Sequence, residues 1–589
     1  MSATLGFKYL GVVSLVTMLV STSHATTPIS ATLRLIATSD IHGEVTGVDY
    51  FTGAVVQRGF IHTAATIREA KAEQPNHVLI DNGDLIQGSP LASWAQQHSL
   101  DKNPIIQVLN HLQFDVANIG NHEFNFGLEA LWQTYAQANF AVMSANIEAL
   151  ESAAIRLPEW LRQTVVLDRT LQAADGSIHP IKIGFVGIVP PQIMMWDQQH
   201  LQGKIRTHDM LMTTARGVAE VQEQGADIVV LVAHTGMPKN TSLPTDAEQA
   251  LHRIAQTPGI DAILFGHQHE VFPGTQVYDE LPDVDSVNGK IHDIAAVQPG
   301  VYGSHIGIID LQLQRHHGVW QVLSSHSEAR PISVAKAKDI EALVADAHQQ
   351  TLEYVKQPVG TTAIDLDHRY ARVQPTASMQ FIHEAQLWHL RQIQDAEIRQ
   401  QLGTLPVVSA AAPFVTALSE DDTNYTHIEA GAVTLGDIGD LYRYPNTLEL
   451  VRISGRELKQ WLERSAEGFV TGRAESPFSY INTKMPSYNV DSFYGVEYQI
   501  DPTQPIGERI NSLRYQGKPI AAELVILVAT NNYRAAGGGD FAGLNGSQSI
   551  YRSPDEIQKI LVDFIQQLPN QNYQSDLIKN WTIEGLSSK

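Results

Sequence analysis

Apolar positions in the first half of the chain fall in short aliphatic and β-branched runs, Leu33–Ala37, His77–Ile80, Ile181–Ile188, Ile228–Val232 and Ala262–Phe265, separated by longer amphipathic stretches. Runs of this kind predict strands alternating with helices, and therefore α/β layers from Thr32 to about Leu313. Between Lys336 and Lys356 the period changes. Ile340, Leu343, Val344, Ala347, Leu352 and Val355 share one helical face, and Pro358 and Gly360 close the segment. This pattern predicts a linking helix over residues 336–357, joining a domain at 26–335 to a second at 358–589. The second region carries strand-like pieces at Leu448–Ile453 and Leu524–Thr530 and a glycine run at Gly537–Gly539.

A chain of 589 residues exceeds what one hydrophobic core organises, which agrees with two domains. The formal charge of −23 repels polyanions and argues against binding a nucleic acid polymer. A small phosphate-bearing ligand then needs local positive charge, and with few Lys/Arg clusters metal ions are the economical source. Lys8, the apolar run Tyr9–Val20 and the small residues Ser21–Ala25 predict an export signal over residues 1–25. The apolar run is too short to span a bilayer, so the mature chain is expected to be a periplasmic monomer not held by a membrane. Cysteine is absent, which removes disulfides, a lipid-bearing thiol and thiolate ligands together.

Five short clusters each follow an apolar run: Asp40-Ile41-His42, Gly83-Asp84, Gly120-Asn121-His122-Glu123, His234, and Gly266-His267-Gln268-His269. Strand ends in an α/β sheet converge on one edge, where such folds place their sites. A lone histidine is usually a surface or satisfied core residue, but five ordered clusters point to metal. A pair of divalent cations wants several ligands each and a carboxylate between them, and Asp84 suits the bridge. The Asp-x-His and His-x-His spacings predict extended backbone, which turns alternate side chains to one ion. An N/O donor set without thiolate fits Zn, Mn, Fe or Co better than calcium.

Two further stretches, Tyr442-Arg443-Tyr444-Pro445-Asn446-Thr447 and Asn531-Asn532-Tyr533-Arg534, set rings beside amides and turns. Such rings either stack a nucleobase or pack the core.

From Leu33 to near Trp581 the sequence resembles the calcineurin-like binuclear metallophosphoesterases, and within them the bacterial 5′-nucleotidase family. The resemblance implies an N-terminal four-layer β-sandwich flanked by helices, the linking helix, and a C-terminal α+β substrate domain. It implies one metal held by Asp40, His42, Asp84 and His269, a second held by Asp84, Asn121, His234 and His267, and His122 as the catalytic histidine. Two such cations would acidify a water that attacks phosphorus in line with the leaving oxygen. It also implies that Tyr444 and Tyr533 sandwich the base of a small nucleotide, that Asn446 contacts it, and that Gly537-Gly538 lets backbone approach the nucleoside. Arg369 and Arg372 lie where some relatives bind phosphate.

Asp84–Pro90, Asn121–Asn125, Pro190–Asp197, Ala410–Phe414 and Leu441–Leu448 resemble the bacterial branch with 2′,3′-cyclic-nucleotide 2′-phosphodiesterase and 3′-nucleotidase activities. Typical 5′-nucleotidases carry an acid where Asn125 stands and an arginine-ended glycine stretch near Ala410–Pro413. Their absence favours a reading in which an Ala-rich wall turns the ribose 2′,3′ edge toward the metals. The alternatives are a 5′-nucleotidase or UDP-sugar hydrolase, and a non-catalytic nucleotide-binding protein. The last would lack a ligand or His122, and all are present. Asp540 is either a ligand-facing acid or a solvent-facing loop charge.

Overall fold

The computed structural model describes Met1 and residues 29–98, 101–153, 155–238, 247–274, 278–444, 446–472 and 476–586. The export signal expected at residues 1–25 lies outside these, apart from Met1.

The apolar runs of the N-terminal region form strands buried from both sides, as continuous hydrophobic runs demand. A seven-stranded sheet runs in the order Val319–Pro331, His305–His316, Ile29–Thr38, His77–Asp81, Val116–Asn118, Ala141–Met143 and Leu161–Arg162. The second sheet orders Val284–Asp285, Lys290–Ile291, Ile294–Pro299, Ala262–Phe265, Ile228–Ala233, Ile178–Ile188 and Thr164–Gln172, with Val271–Phe272 beside Ile294–Pro299. Alternation along Ile29–Thr38 sorts its side chains between layers. Leu33, Leu35 and Ala37 meet Ile183, Phe185, Val230, Val232 and Leu264 between the sheets, while Ile36 joins a core with Phe60, Ile67, Leu91 and Leu109 on the helical side. Helix Met210–Glu223 covers the outer face of the second sheet through Val218 and Val221. Helix, sheet, sheet and helix make the four layers.

The linking segment is helical but broken. Lys338–Leu343 and Ala345–Val355 meet at Val344, whose φ of −106° leaves the helical range. Ile340, Val344 and Val355 belong to the N-terminal core, so the segment packs as part of that wall. Tyr354 Oη accepts a 2.8 Å bond from Gln97 Nε2, and the Tyr50 hydroxyl meets His348 Nδ1 at 2.8 Å.

Beyond it, a five-stranded sheet orders Ser492–Tyr494, Val407–Ala411, Val525–Asn531, Thr447–Ser454 and Ser549–Glu556. One face (Leu448, Leu450, Leu527) packs on helices Ala377–Gln392 and Ile557–Gln567, and the other (Val451, Ile453, Val528) on helix Gly455–Ala466. Ser454 and Glu457 form a capping box that starts that last helix, satisfying two orphan N–H groups. Ala410 and Ala411 sit inside this sheet, one facing each core, so they pack strands rather than wall a ligand.

Phe185 is fully buried between the two N-terminal sheets. Phe185→Ala should cost about 3–5 kcal/mol through lost transfer energy and a cavity, measured as a lowered denaturant midpoint.

Candidate metal centre

Each of the five clusters occupies the loop directly after a strand, and the loops converge at one edge of the sandwich. Asp40 follows Ile29–Thr38, Asp84 follows His77–Asp81, Asn121 follows Val116–Asn118, His234 follows Ile228–Ala233, and His267 and His269 follow Ala262–Phe265. Their side chains form two triads, Asp40 with His42 and His269, and Asp84 with His234 and His267. His234 Nε2 joins the triads, lying 3.0 Å from Asp84 Oδ2 and 3.9 Å from Asp40 Oδ1.

The backbone reaches this convergence differently from the spacing argument. Asp40, His42, Asp84, His267 and His269 all have φ between 52° and 74°, in the left-handed region that non-glycine residues rarely adopt. Asp-x-His and His-x-His are therefore tight left-handed loops and not extended segments. Several strained residues in one place persist only where the surroundings over-determine them, and they cluster at functional sites.

Glu123 does much of that holding. Its buried carboxylate accepts N–H bonds from Asp84 at 2.8 Å, Leu85 at 2.6 Å and Gly120 at 2.7 Å, pinning the Asp84 loop to the Asn121 loop. The loops are so close that a Cβ on Gly120 would lie 2.4 Å from Asp84 Oδ1. Glu123 was visible in the sequence only as the last member of its cluster, without a role. The histidines are oriented from behind: His42 Nδ1 faces Gln87 O at 3.2 Å and His234 Nδ1 faces Asn82 O at 2.7 Å, so both present Nε2 to the site.

The donor set fits cations. Burial lowers the His42 and His269 imidazoles to about 4, which keeps their lone pairs free, and their Nε2 atoms face each other at 3.0 Å. Burial opposes charge on Asp84 too, but His234, His122 and His42 hold its carboxyl well below the usual carboxylate range. Burial alone would also lower His234, yet Asp84 and Asp40 lift it to about 10. Asn121 Oδ1 is buried without a hydrogen-bond partner among the described residues. The neutral imidazole nitrogens of His42 and His269, ionised carboxylates and an unpartnered amide oxygen around one space are what a divalent ion satisfies, and such an ion would take the place of the His234 proton.

Two family models match the chain: calcineurin-like phosphoesterase over residues 33–271, and the C-terminal domain of 5′-nucleotidase over residues 358–546. A 2′,3′-cyclic-nucleotide 2′-phosphodiesterase/3′-nucleotidase of Salmonella typhimurium is 39% identical over 90% of this chain and 85% of its own length. The chain belongs to this family of calcineurin-like phosphoesterases. A like-named protein of Yersinia enterocolitica is 35% identical over 98% of this chain and 91% of its own. In fold, the 5′-nucleotidase precursor of Thermus thermophilus superposes with a TM-score of 0.60 at 19% identity, covering 94% of this chain and 100% of that one.

Around the metal loops of this phosphoesterase lie His122 and the aromatic residues of the C-terminal part. His122 donates its backbone N–H to Asp84 Oδ1 at 2.8 Å, and its ring stacks on Tyr444 with centroids 6.4 Å apart. Tyr444 also meets Phe414 edge-on at 5.3 Å. Tyr533 lies against Trp196 at 6.4 Å, and Trp196 stacks on His267 at 5.8 Å. Asn532 Nδ2 donates to Trp196 O at 2.6 Å, which fastens the Tyr533 loop to the metal wall. Trp196 stood in the sequence as one of the branch-specific residues, without an assigned contact.

Other expected substrate residues have structural partners. The Asn446 side chain bonds the Tyr442 hydroxyl, and its carbonyl accepts from Ile557 N at 2.8 Å. Gly538 backs the Tyr533 ring, since a Cβ there would lie 2.4 Å from its Cζ, and Gly537 turns the chain at φ 99°. The glycine run thus supports a tyrosine. Arg372 is buried and donates to Gly468 O and Asn482 O, while Arg369 packs on Tyr370, Tyr425 and Phe478. Asp540 is left-handed at φ 61° and lies near Tyr533. Glu248, which sequence reasoning missed, accepts from His267 Nε2 at 2.7 Å.

Glu123→Ala removes the shared acceptor of four N–H groups, those of Asp84, Leu85, Ile86 and Gly120. We expect metal affinity to fall by about 10- to 100-fold, read by titrating the metal-depleted variant and wild type against the same ion.

Proposed function

We propose that the chain opens 2′,3′-cyclic nucleotides to 3′-nucleotides and then hydrolyses 3′-nucleotides to nucleoside and phosphate. The observation that carries it is the pair of Asp/His triads sharing one wall, with His122 beside Asp84 and two tyrosines at the rim. Relatives 35–39% identical over most of their length bear those two activities in their names, which supports this branch.

In this reading one divalent ion is held by Asp40, His42, Asp84 and His269, and the other by Asp84, Asn121, His234 and His267. Two such ions, of Zn, Mn, Fe or Co type, supply Lewis acidity toward the phosphoryl oxygens and make a water nucleophilic near neutral pH. Asp84 would be the carboxylate shared between the two sites. His122 lies outside the ligand set and faces the phosphoryl group, where its imidazole stabilises developing charge or gives a proton to the leaving oxygen.

In the first step water adds to phosphorus and the P–O2′ bond breaks, leaving the 2′ hydroxyl and a 3′-phosphate. In the second a further water adds to phosphorus as the P–O3′ bond breaks and O3′ takes up a proton, releasing nucleoside and inorganic phosphate. Both leaving groups lie on the same ribose edge, so one pocket serves both once the product has turned or rebound. Tyr444 and Tyr533 supply aromatic faces for the base, and the sandwich supplies the chemistry. The apolar run Tyr9–Val20 supports export to a periplasm, and no helix among the described residues is long and apolar enough to cross a membrane.

Purified protein assayed on 2′,3′-cyclic AMP, 3′-AMP and 5′-AMP should prefer the first two by kcat/KM; a marked preference for 5′-AMP contradicts the assignment. His122→Ala should reduce kcat by about 10²- to 10⁴-fold with metal content unchanged, and Tyr533→Ala should chiefly raise KM.

A further inference from the structure

The His122 backbone is held by Asp84, but its ring is held by an amide. Its Nδ1 lies 2.7 Å from Oδ1 of Asn125, three residues on, and Asn125 Nδ2 donates to Asp197 Oδ1 at 3.0 Å. Asp197 joins the short helices Ile193–Trp196 and Gln198–Leu201 that follow strand Ile178–Ile188, and its side chain is almost wholly buried. Its second oxygen, Oδ2, has no hydrogen-bond partner among the described residues. The Asn125 amide is therefore the carboxylate's side-chain donor on this wall.

We infer that Asp197 is a positioning residue for His122: through the Asn125 amide it fixes which ring nitrogen carries the proton and how the ring is turned. The inference rests on the phosphoesterase reading of this site. Burial pushes the Asp197 carboxyl up to about 7; once ionised it accepts hydrogen bonds and does not donate them, so Asp197 draws the NH₂ end of the Asn125 amide toward itself. The amide oxygen is then left facing His122 Nδ1, and an oxygen accepts only from an N–H. His122 is held with its N–H at Nδ1 toward Asn125, so the proton that moves in the reaction is the one Nε2 carries when it faces the leaving oxygen. An asparagine alone offers either end to the ring with similar ease, so it would select neither form. The acid behind it supplies the direction, just as buried acceptors elsewhere fix the tautomer of a catalytic imidazole.

The loop bearing Asp197 also touches the other side of the site. Trp196 stacks on His267, and its carbonyl accepts from Asn532, next to Tyr533. One dipeptide thus connects the substrate-domain loop to His267 through its indole and to His122 through its carboxylate. Correct seating of Asn532 and Tyr533 against Trp196 places the Asp197 carboxylate behind Asn125.

The test uses zinc-loaded holoprotein labelled with ¹⁵N-histidine, the His122 ring being assigned by its loss in His122→Gln. In wild type, long-range ¹H–¹⁵N correlations should show His122 protonated at Nδ1. Asp197→Asn, which replaces the acceptor by a group that donates as readily, should mix the two tautomers and lower kcat by about 10- to 100-fold, with KM and zinc content within about threefold of wild type. The double variant Asn125→Asp with Asp197→Asn exchanges acid and amide. The carboxylate introduced at position 125 accepts from Nδ1 directly, so the double variant should restore the Nδ1–H form and most of the lost kcat. A purely structural role for Asp197 predicts no such rescue.

The inference is overturned by a wild-type His122 protonated at Nε2 and not at Nδ1, by Asp197→Asn with unchanged tautomer and kcat, or by a double variant no better than the single one. The wild-type spectrum needs no variant to fold. A wild type that is well folded, zinc-loaded and inactive on all three phosphate substrates would overturn the phosphoesterase reading instead, and the tautomer measurement would still stand on its own.

Discussion

Two buried carboxylates, Asp40 and Asp84, face the imidazoles of His42, His234, His267 and His269 at one edge of the sandwich. Such an arrangement is unfavourable in an otherwise apolar sandwich unless cations occupy it. Much of the N-terminal architecture serves this one constraint. The sheets bring five strand ends to one edge, the loops after them adopt left-handed backbone, and Glu123 ties two of those loops together through their N–H groups.

The same constraint orders the C-terminal part. A strongly acidic chain attracts phosphate only where its charge is locally reversed. The aromatic residues that would hold a base accordingly gather at the metal loops, Tyr444 over His122 and Tyr533 against Trp196. Asn532 and Trp196 join the two regions backbone to side chain, so the geometry of the rim depends on how the regions sit together.

The sequence displayed the strands and the metal loops because both follow from local pattern. Continuous apolar runs mark strands buried on both faces, and a ligand placed directly after such a run marks a strand end. Loop conformation was hidden: Asp-x-His fits an extended segment as readily as a left-handed loop, and only the fold chooses. Long-range pairings left no periodic trace. Asn125 and Asp197 are 72 residues apart, and the four N–H donors that occupy Glu123 are not encoded in its side-chain neighbours. Ala410 and Ala411 read as a ligand wall because small residues suit a close approach, but they suit a sheet flanked by two cores equally well. The linking helix was legible in its period, while its break at Val344 was not.

The meeting of the five loops around a pair of ions is tested most directly by anomalous diffraction from crystals of the metal-loaded protein. Two peaks about 3.5–4 Å apart, one on each side of the Asp84 carboxylate, are expected. A single peak, or metal bound elsewhere in a fully active crystal preparation, would contradict the account.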